Sequence, residues 1–472
     1  MPRDNGWSPP ADGKASIINP TSPLTVAQQF LDLTYGDTRQ AKLLRHRGVF
    51  YRWARTAWAE IGEETLRAQL YSFLAGCLRP GTNGDLDRVD PNIRLVSEVL
   101  SALKAVALIG DDIEPPAWLR GGKKERANEL VAFKNGLLDL PTGELIPPTP
   151  EFFCLSALDI DWNENAPAPK RWLAFLREIW PDDQESIDAL QEIFGDLLTD
   201  DTRLQKAFML VGPPRCGKGT IGRVLRALVG VRNTVSPTLS SLGSHFGRAS
   251  LIGKRLALVG DARLGRDADP IAIAEHILGI TGEDAVTIPR KNLSDWTGQL
   301  HIKFVVLCTE VPKMTDDSAG IADRFKILRM LTSFLGQEDT DLTNKLLTEL
   351  PGIAVWAVAG WDAVFGENGS GRITQPKSAQ GHVADIRDLA SDIKQYLDER
   401  CDFAPDYSIE REILYKDYCC WRAAQGSHPI TKAVFGKKLR TAFPNLGDYQ
   451  PGEDKTQGKR PTRHYCGLRL RP

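Results

Sequence analysis

The sequence predicts an α/β protein of several domains, on three observations. Short, wholly apolar runs alternate with stretches of helical period in the middle of the chain; a mostly helical segment precedes them; three helical stretches with a strand-like end follow. Length agrees, because single hydrophobic cores stop growing near roughly 250–300 residues and this chain has 472. Hydrophobic residues at 42% and charged residues at 25% belong to folded globular chains and exclude a collagenous or largely disordered one. With 59 basic and 61 acidic residues the net charge is −2, so the whole chain is no polycation and any nucleic-acid binding must come from local patches.

Residues 1–24 are rich in Pro, Gly, Asn and Asp without apolar period and are expected to be a disordered N-terminus. Residues 25–165 read as a helical N-terminal domain with a small β subregion. Leu66, Leu70, Phe73, Leu74 and Cys77 recur at helical spacing, and VAFKNGLLDLPTGEL carries turn signals at Asn135-Gly136 and Pro141-Thr142-Gly143 that read as a hairpin. The stretch AKLLRHRGVFYRWARTAWAE is read as helical too. Its Arg45, Arg47 and Arg52 among Tyr51, Trp53 and Trp58 suit single-stranded nucleic acid, or else form a solvated face over buried aromatics.

A helical lead-in over 170–205 opens a central domain, 166–375, whose apolar runs at 207–211, 256–259 and 303–307 are expected to form a parallel sheet covered by helices. Residues 385–472 read as three helices, around Leu389–Leu397, ILYKDYCCWRAAQG and FGKKLRTAF, then the strand-like HYCGLRLR, which fits a winged-helix module. From position 429 on, ten basic residues face three acidic ones, a local net charge of +7. Such asymmetry is a nucleic-acid footprint, with Lys437, Lys438 and Arg440 the foremost candidates. A basic tail serving solubility is the alternative.

Eight cysteines, none in a CxxC or Cys/His ligand spacing, suggest reduced thiols. No apolar stretch reaches the roughly 18 residues of a membrane span and no signal peptide is visible, so no membrane is expected among the partners and a cytoplasmic location is expected.

The sharpest signal is GPPRCGKGT: Gly212, Pro213, Pro214, Arg215, Cys216, Gly217, Lys218, Gly219 and Thr220, directly after the strand AFMLV and before the helical run IGRVLRALVG. Glycines let the backbone wrap close to phosphates, the helix presents its positive end, and Lys218 reaches the β and γ oxygens of ATP. Gly219 stands where a hydroxyl residue usually follows the lysine, so the hydroxyl for Mg2+ falls to Thr220. The run LALV ends at Gly260-Asp261, which places Asp261 as the carboxylate on the metal side. KFVVLC ends at Thr309-Glu310, where either side chain can orient the attacking water, and Arg324 in GIADRF is a candidate arginine finger for a neighbouring subunit's nucleotide. An intrachain ion pair is the alternative for Arg324.

The order GPPRCGKGT, KRLALVGDARLG, ITGEDAVTIPRKN and FVVLCTEVPKMTDDSAGIADRF resembles superfamily 3 helicases, the AAA+ hexameric motors of small DNA viruses, phages and plasmids. FKNGLLDLPTGEL and PKRWLAFLREIW resemble the domain found before the motor in phage and plasmid primase-helicases and their poxvirus relatives. ILYKDYCCWRAAQG and FGKKLRTAF resemble their C-terminal winged helix. No segment resembles the primase domain that many members carry upstream, so priming is not expected.

The resemblance implies an AAA+ P-loop motor with Lys218 and Thr220 on nucleotide and Mg2+, Asp261 as the acid of the second motif, and Arg324 as the arginine finger. Two departures stand out: paired acids of many viral members are replaced by Gly260 and Asp261, and the usual sensor asparagine aligns with Thr309. Papillomavirus-type members carry a Lys-His pair on a hairpin where this chain reads IPRKN, so Lys291 matches and Asn292 replaces the histidine. Six subunits would each bring Arg290 and Lys291 to a central channel, a ring of charge that tracks phosphates without reading bases.

The expected function is an ATP-dependent DNA helicase working as a homo-hexamer on single-stranded and forked DNA. The resemblance implies 3′ to 5′ movement and a separate primase or replication initiator among its partners. Two other classes remain open: a DNA-binding initiator or defence factor that uses ATP to assemble, and a nucleotide phosphotransferase, because the GKGT ending also occurs in such enzymes.

Overall fold

The computed structural model describes residues 16–36, 42–81, 85–120, 124–260, 262, 268–291, 293–312, 320–382, 392–424, 429–443, 445–449 and 463–471. Helices α1 (Pro23–Tyr35), α2 (Glu63–Ala75) and α3 (Ile93–Val106) close around Phe30, Leu66, Leu70, Phe73, Val96 and Leu103. Residues 16–24, expected to be loose, are held here. Ile18 N donates to Leu78 O at 2.8 Å, Leu78 N donates to Ser16 O at 2.9 Å, and Ile18 is buried in the same core. Residues 1–15 of that expectation lie outside the described residues.

Between α1 and α2 the chain forms a meander of β1 (Leu43–His46), β2 (Val49–Ala54) and β3 (Ala57–Ile61), which corrects the helical reading of this stretch. Its turns decide the matter. Arg47 and Gly48 both have positive φ, 46° and 81°, and Arg55 has 71°, which is the left-handed backbone of two-residue hairpin turns. His46 therefore faces Val49, and Ala54 faces Ala57. The aromatics pack on protein: Trp53 meets Trp58 edge-on at 5.7 Å across the ladder, and Trp58 is buried.

A small hairpin, β4 (Leu78–Pro80) with β5 (Leu86–Arg88), follows α2. Strands β6 (Ala117–Trp118), β7 (Leu130–Phe133), β8 (Gly136–Asp139), β9 (Leu145–Ile146) and β10 (Phe152–Phe153) form two further small sheets. The β7–β8–β9 sheet is the hairpin expected over 131–145. Asn135 at its first turn brackets Trp162, donating to its carbonyl at 2.9 Å and accepting from its amide at 2.8 Å.

Helices α4 (Lys170–Ile179) and α5 (Gln184–Asp196) lead into β11 (Ala207–Val211), α6 (Lys218–Val229), β12 (Thr234–Val235), α7 (Leu239–Gly243), β13 (Leu256–Val259) and α8 (Pro270–Thr281). Then come the hairpin β14 (Val286–Arg290) and β15 (Leu293–Gly298), then β16 (Lys303–Cys308), α9 (Gly320–Arg324), β17 (Phe325–Arg329), α10 (Leu342–Leu347) and α11 (Leu350–Phe365). The sheet is five-stranded and parallel throughout, in the order β12-β13-β16-β11-β17. Every residue of β11, β13 and β16 is buried, because helices cover both faces. Two apolar layers result, one including Phe175, Ile193, Leu225 and Trp361, the other Ile273, Ile277, Ile288 and Phe325. Helices α5 and α11 touch backbone to backbone: a Cβ at Gly360 would lie 2.0 Å from Gln191 O, and one at Gly195 2.2 Å from Trp361 N.

The C-terminal unit runs α12 (Asp392–Arg400), β18 (Cys401–Glu410), α13 (Arg411–Ala424), α14 (Lys432–Ala442), β19 (Gly447–Tyr449) and β20 (His464–Leu470), with an antiparallel sheet in the order β18-β20-β19. Its core is aromatic: Tyr396, Tyr418, Trp421 and Phe435. Strand β18 was not expected from the sequence. It is an edge strand that carries Pro405 and shifts register between Phe403 and Ser408, which is where a sheet tolerates proline. All eight cysteines are free, and no helix among the described residues is long and apolar enough to cross a membrane.

Candidate functional site

In an open parallel sheet, ligands settle beyond the carboxyl ends of the strands. The glycine loop leaves β11 at that edge and enters α6. Its shape is forced residue by residue. A Cβ at Gly212 would lie 2.4 Å from Met330 O, so no other residue fits beside the end of β17. Arg215 at φ 60° and Gly217 at φ 97° reverse the chain. A Cβ at Gly217 would also stand 3.0 Å from Ile179 Cδ1 and 3.1 Å from Phe175 Cζ, which makes α4 one wall of the loop. The segment after β17 is the other wall: Phe334 N donates to Arg215 O at 3.0 Å and Ser333 Oγ to Pro214 O at 2.9 Å.

Thr220 N and Ile221 N both donate to Gly217 O at 3.0 Å, which leaves the amides of Lys218 and Gly219 as the first-turn donors without an intrahelical acceptor. That is the geometry of an anion site, and here the loop wraps it. Lys218 Nζ lies inside the loop, donating to Gly212 O at 2.5 Å, Pro213 O at 2.8 Å and Cys216 Sγ at 3.2 Å. An ammonium held only by carbonyls and a thiol has no counter-charge among these contacts, so a phosphate oxygen is a better partner than any it has. Burial pushes the Cys308 thiol at the end of β16 up to about 12, although Lys218 pulls the other way, so the thiol stays protonated beside the site.

For Mg2+ the loop offers one side-chain oxygen, the Thr220 hydroxyl. That oxygen accepts from Arg223 Nη2 at 3.1 Å, and Arg223 Nε donates to Thr343 Oγ1 at 3.0 Å. A guanidinium at a metal ligand opposes a bare cation, so the donor set suits Mg2+ arriving with polyphosphate charge. The second ligand expected from sequence, Asp261, lies outside the described residues.

Thr309 and Glu310 are exposed at the same sheet edge, one strand away: they follow Cys308, whose carbonyl accepts from Gly212 N at 3.2 Å. Arg324 is at the opposite edge. It precedes Phe325, the partner of Ala207 at the start of β11, and donates to Gln205 Oε1 at 2.7 Å. Five residues of β11, about 16 Å at 3.3 Å each, separate it from its own loop. Among the described residues this bond is to a neutral amide, where the alternative reading has an ion pair. Sequence reasoning passed over Arg329, which is exposed at the end of β17 opposite Val211, beside the loop. The charged end of FKILRM was its only signal.

The hairpin β14–β15 is inserted between α8 and β16. Arg290 pairs with Leu293, so Lys291, exposed, stands at the turn; Asn292 lies outside the described residues. Buried Ile288 anchors the hairpin in the core. On α14, Lys437 is exposed and Lys438 half-buried, while Arg440 is committed to Asp448 at 2.9 Å and Lys432 to Glu412, so part of the local positive charge is neutralised within the unit.

Three segments match known families: residues 94–181 match the D5 N terminal like family, 210–324 a family of unknown function (DUF5906), and 390–472 the RFX DNA-binding domain. The glycine loop, the hairpin and Arg324 fall within the second match. Among solved structures, the A form apo structure of the NrS-1 C terminal region is 13% identical over 94% of this chain and 99% of that one, with a TM-score of 0.51. Two further apo structures of that region, spanning its residues 305–718, are each 12% identical over 94% of this chain, with TM-scores of 0.47 and 0.48, and cover 100% and 99% of their own chains. The first likeness shows a shared fold: a mixed α/β protein with a parallel sheet and helices.

Proposed function

We propose that the protein is an ATP-dependent DNA helicase of phage or mobile-element replication type: an AAA+ motor of superfamily 3 that moves along single-stranded DNA as a hexameric ring. The observation that carries this reading is the placement of the glycine loop. It leaves the strand between β16 and β17 in a parallel sheet ordered β12-β13-β16-β11-β17, with a two-stranded hairpin inserted before β16. The match to the D5 N terminal like family and the likeness to the NrS-1 region support a protein of primase-helicase type. The RFX match, with α12-β18-α13-α14-β19-β20 in winged-helix order, supports a DNA-binding unit at the C-terminus.

In this reading ATP·Mg2+ sits on the loop, with its phosphates on the Lys218 and Gly219 amides and Lys218 Nζ exchanging carbonyls for the β and γ oxygens. Thr220 and Asp261 hold the metal, Thr309 or Glu310 orients water, and Arg324 of a neighbouring subunit meets the γ-phosphate. Unwinding of a forked duplex by wild-type protein with ATP and Mg2+, absent in Lys218→Ala, tests it; a fork left intact by pure, DNA-bound wild-type protein would contradict it. A second reading, an initiator or defence factor assembled by ATP with little turnover, is favoured by Thr309, whose short hydroxyl stands where the resembled family has an amide. ATP-dependent assembly without DNA-stimulated hydrolysis would select that reading.

A further inference from the structure

A cavity of about 130 Å³ lies between the β1–β3 meander and the base of the β14–β15 hairpin, away from the glycine loop. His46 and Tyr51 line it from the meander; Arg290, Trp296 and His301 line it from the hairpin side. The two walls are in close register, because a Cβ at Gly298 would stand 2.9 Å from Arg47 Nη1. Its interior is polar, and two of its cations are already paired with acids. Arg47 is paired with Glu114, and Arg255 is held by Asp200 at 2.7 Å, so these cations are engaged before any ligand arrives. Two imidazole nitrogens of residues that line the cavity are left over: Nε2 of His46 and Nε2 of His301 are buried with no hydrogen-bond partner among the described residues, and His46 is only 4% exposed. A buried polar atom without a partner is costly, and two in one cavity point to a ligand that satisfies both.

We propose that this cavity receives one unstacked nucleobase of the DNA strand that passes the hairpin tip, a proposal that rests on the motor reading above. A base is flat, neutral and polar at its rim. It stacks on an aromatic such as Trp296 or Tyr51 and gives its edge to imidazole nitrogens. A free nucleotide would carry its phosphate charge in beside Arg47 and Arg255, which are already paired with acids. A base held in a strand leaves the phosphate outside, where Arg290 joins the cavity to the exposed Lys291 of the tip. The base contact gives the motor a second hold on the strand, made by the N-terminal meander and the hairpin together.

The test compares binding of a labelled oligothymidylate and an abasic strand of equal length by the full-length protein, using fluorescence anisotropy. Wild type is expected to prefer the strand with bases by about tenfold, the order of one stacking contact. Trp296→Leu and His301→Gln should each shrink that ratio toward one while abasic binding stays unchanged. Two variants are used so that His301→Gln carries the test where Trp296→Leu does not fold. A ratio unchanged in the folded variants overturns the proposal, as does displacement of the strand from this cavity by free thymidine monophosphate at comparable concentration. Equal binding of both strands by wild type removes the pocket alone; failure to bind either strand removes the motor reading with it.

Discussion

Gly217 concentrates what the loop demands of one position. Its φ of 97° costs an L-residue about 1–2 kcal/mol, and an added Cβ meets Phe175 and Ile179 at 3.0–3.1 Å, so the wall of α4 must give way. Gly217→Ala is expected to lower ATP affinity at least tenfold while far-ultraviolet circular dichroism stays unchanged; titration with a fluorescent ATP analogue measures it. His46 bears on pH in the same local way. Burial first, and then Arg47, hold its imidazole below the ordinary histidine value, against the opposing pull of Glu114 and Asp111. A histidine whose folded value is depressed resists protonation, so the unfolded chain takes up the proton first as pH falls below about 6.5. Stability is therefore full above that pH and declines beneath it. Thermal unfolding between about pH 7 and 5 should show a slope that His46→Gln flattens, and an unchanged slope would assign it to other groups.

At the scale of elements, the hairpin is separable from the glycine loop. Lys291, exposed, and the half-buried Arg290 belong to a ladder rooted by Ile288 and make no part of the glycine loop. Lys291→Ala is thus expected to keep basal ATP hydrolysis within about twofold and to lose fork unwinding; intact unwinding would remove the hairpin from the DNA path. The elements also divide by how far the sequence reveals them. Strands β11, β13 and β16 are legible because burial on both faces makes them continuous apolar runs. Strand β17 escapes because Lys326 and Arg329 interrupt its run at the sheet edge, and β18 because Pro405-Asp406 resembles a turn. The meander is misread for a different reason. Arginine and aromatic residues at mixed spacing imitate a helix face, and Arg47-Gly48 makes the hairpin turn without the usual Asn-Gly or Asp-Gly signal. The loop itself is local in sequence and so is visible there, whereas its walls, Phe175, Ile179, Met330 and Phe334, are apolar residues from distant segments that carry no separate signal.

For the whole molecule, the position of Arg324 has a consequence for assembly. It stands about a strand's length from its own loop, at the start of β17, so a catalytic role requires a second copy of the chain. A mixture of Lys218→Ala and Arg324→Ala subunits should then recover part of the ATPase activity that each lacks alone. Interfaces joining an intact loop from one variant to an intact arginine from the other are restored by mixing, and absence of recovery would place Arg324 outside catalysis. The arginine's contribution is expected to be on the order of 10³-fold in turnover.

The most direct measurement is ATP hydrolysis by wild type and Lys218→Ala, with and without single-stranded DNA, alongside solution mass with and without nucleotide. The motor account predicts turnover that DNA stimulates, a loss of at least about 100-fold in Lys218→Ala, and a species of about six protomers when nucleotide is bound. A monomer whose turnover ignores DNA would contradict it.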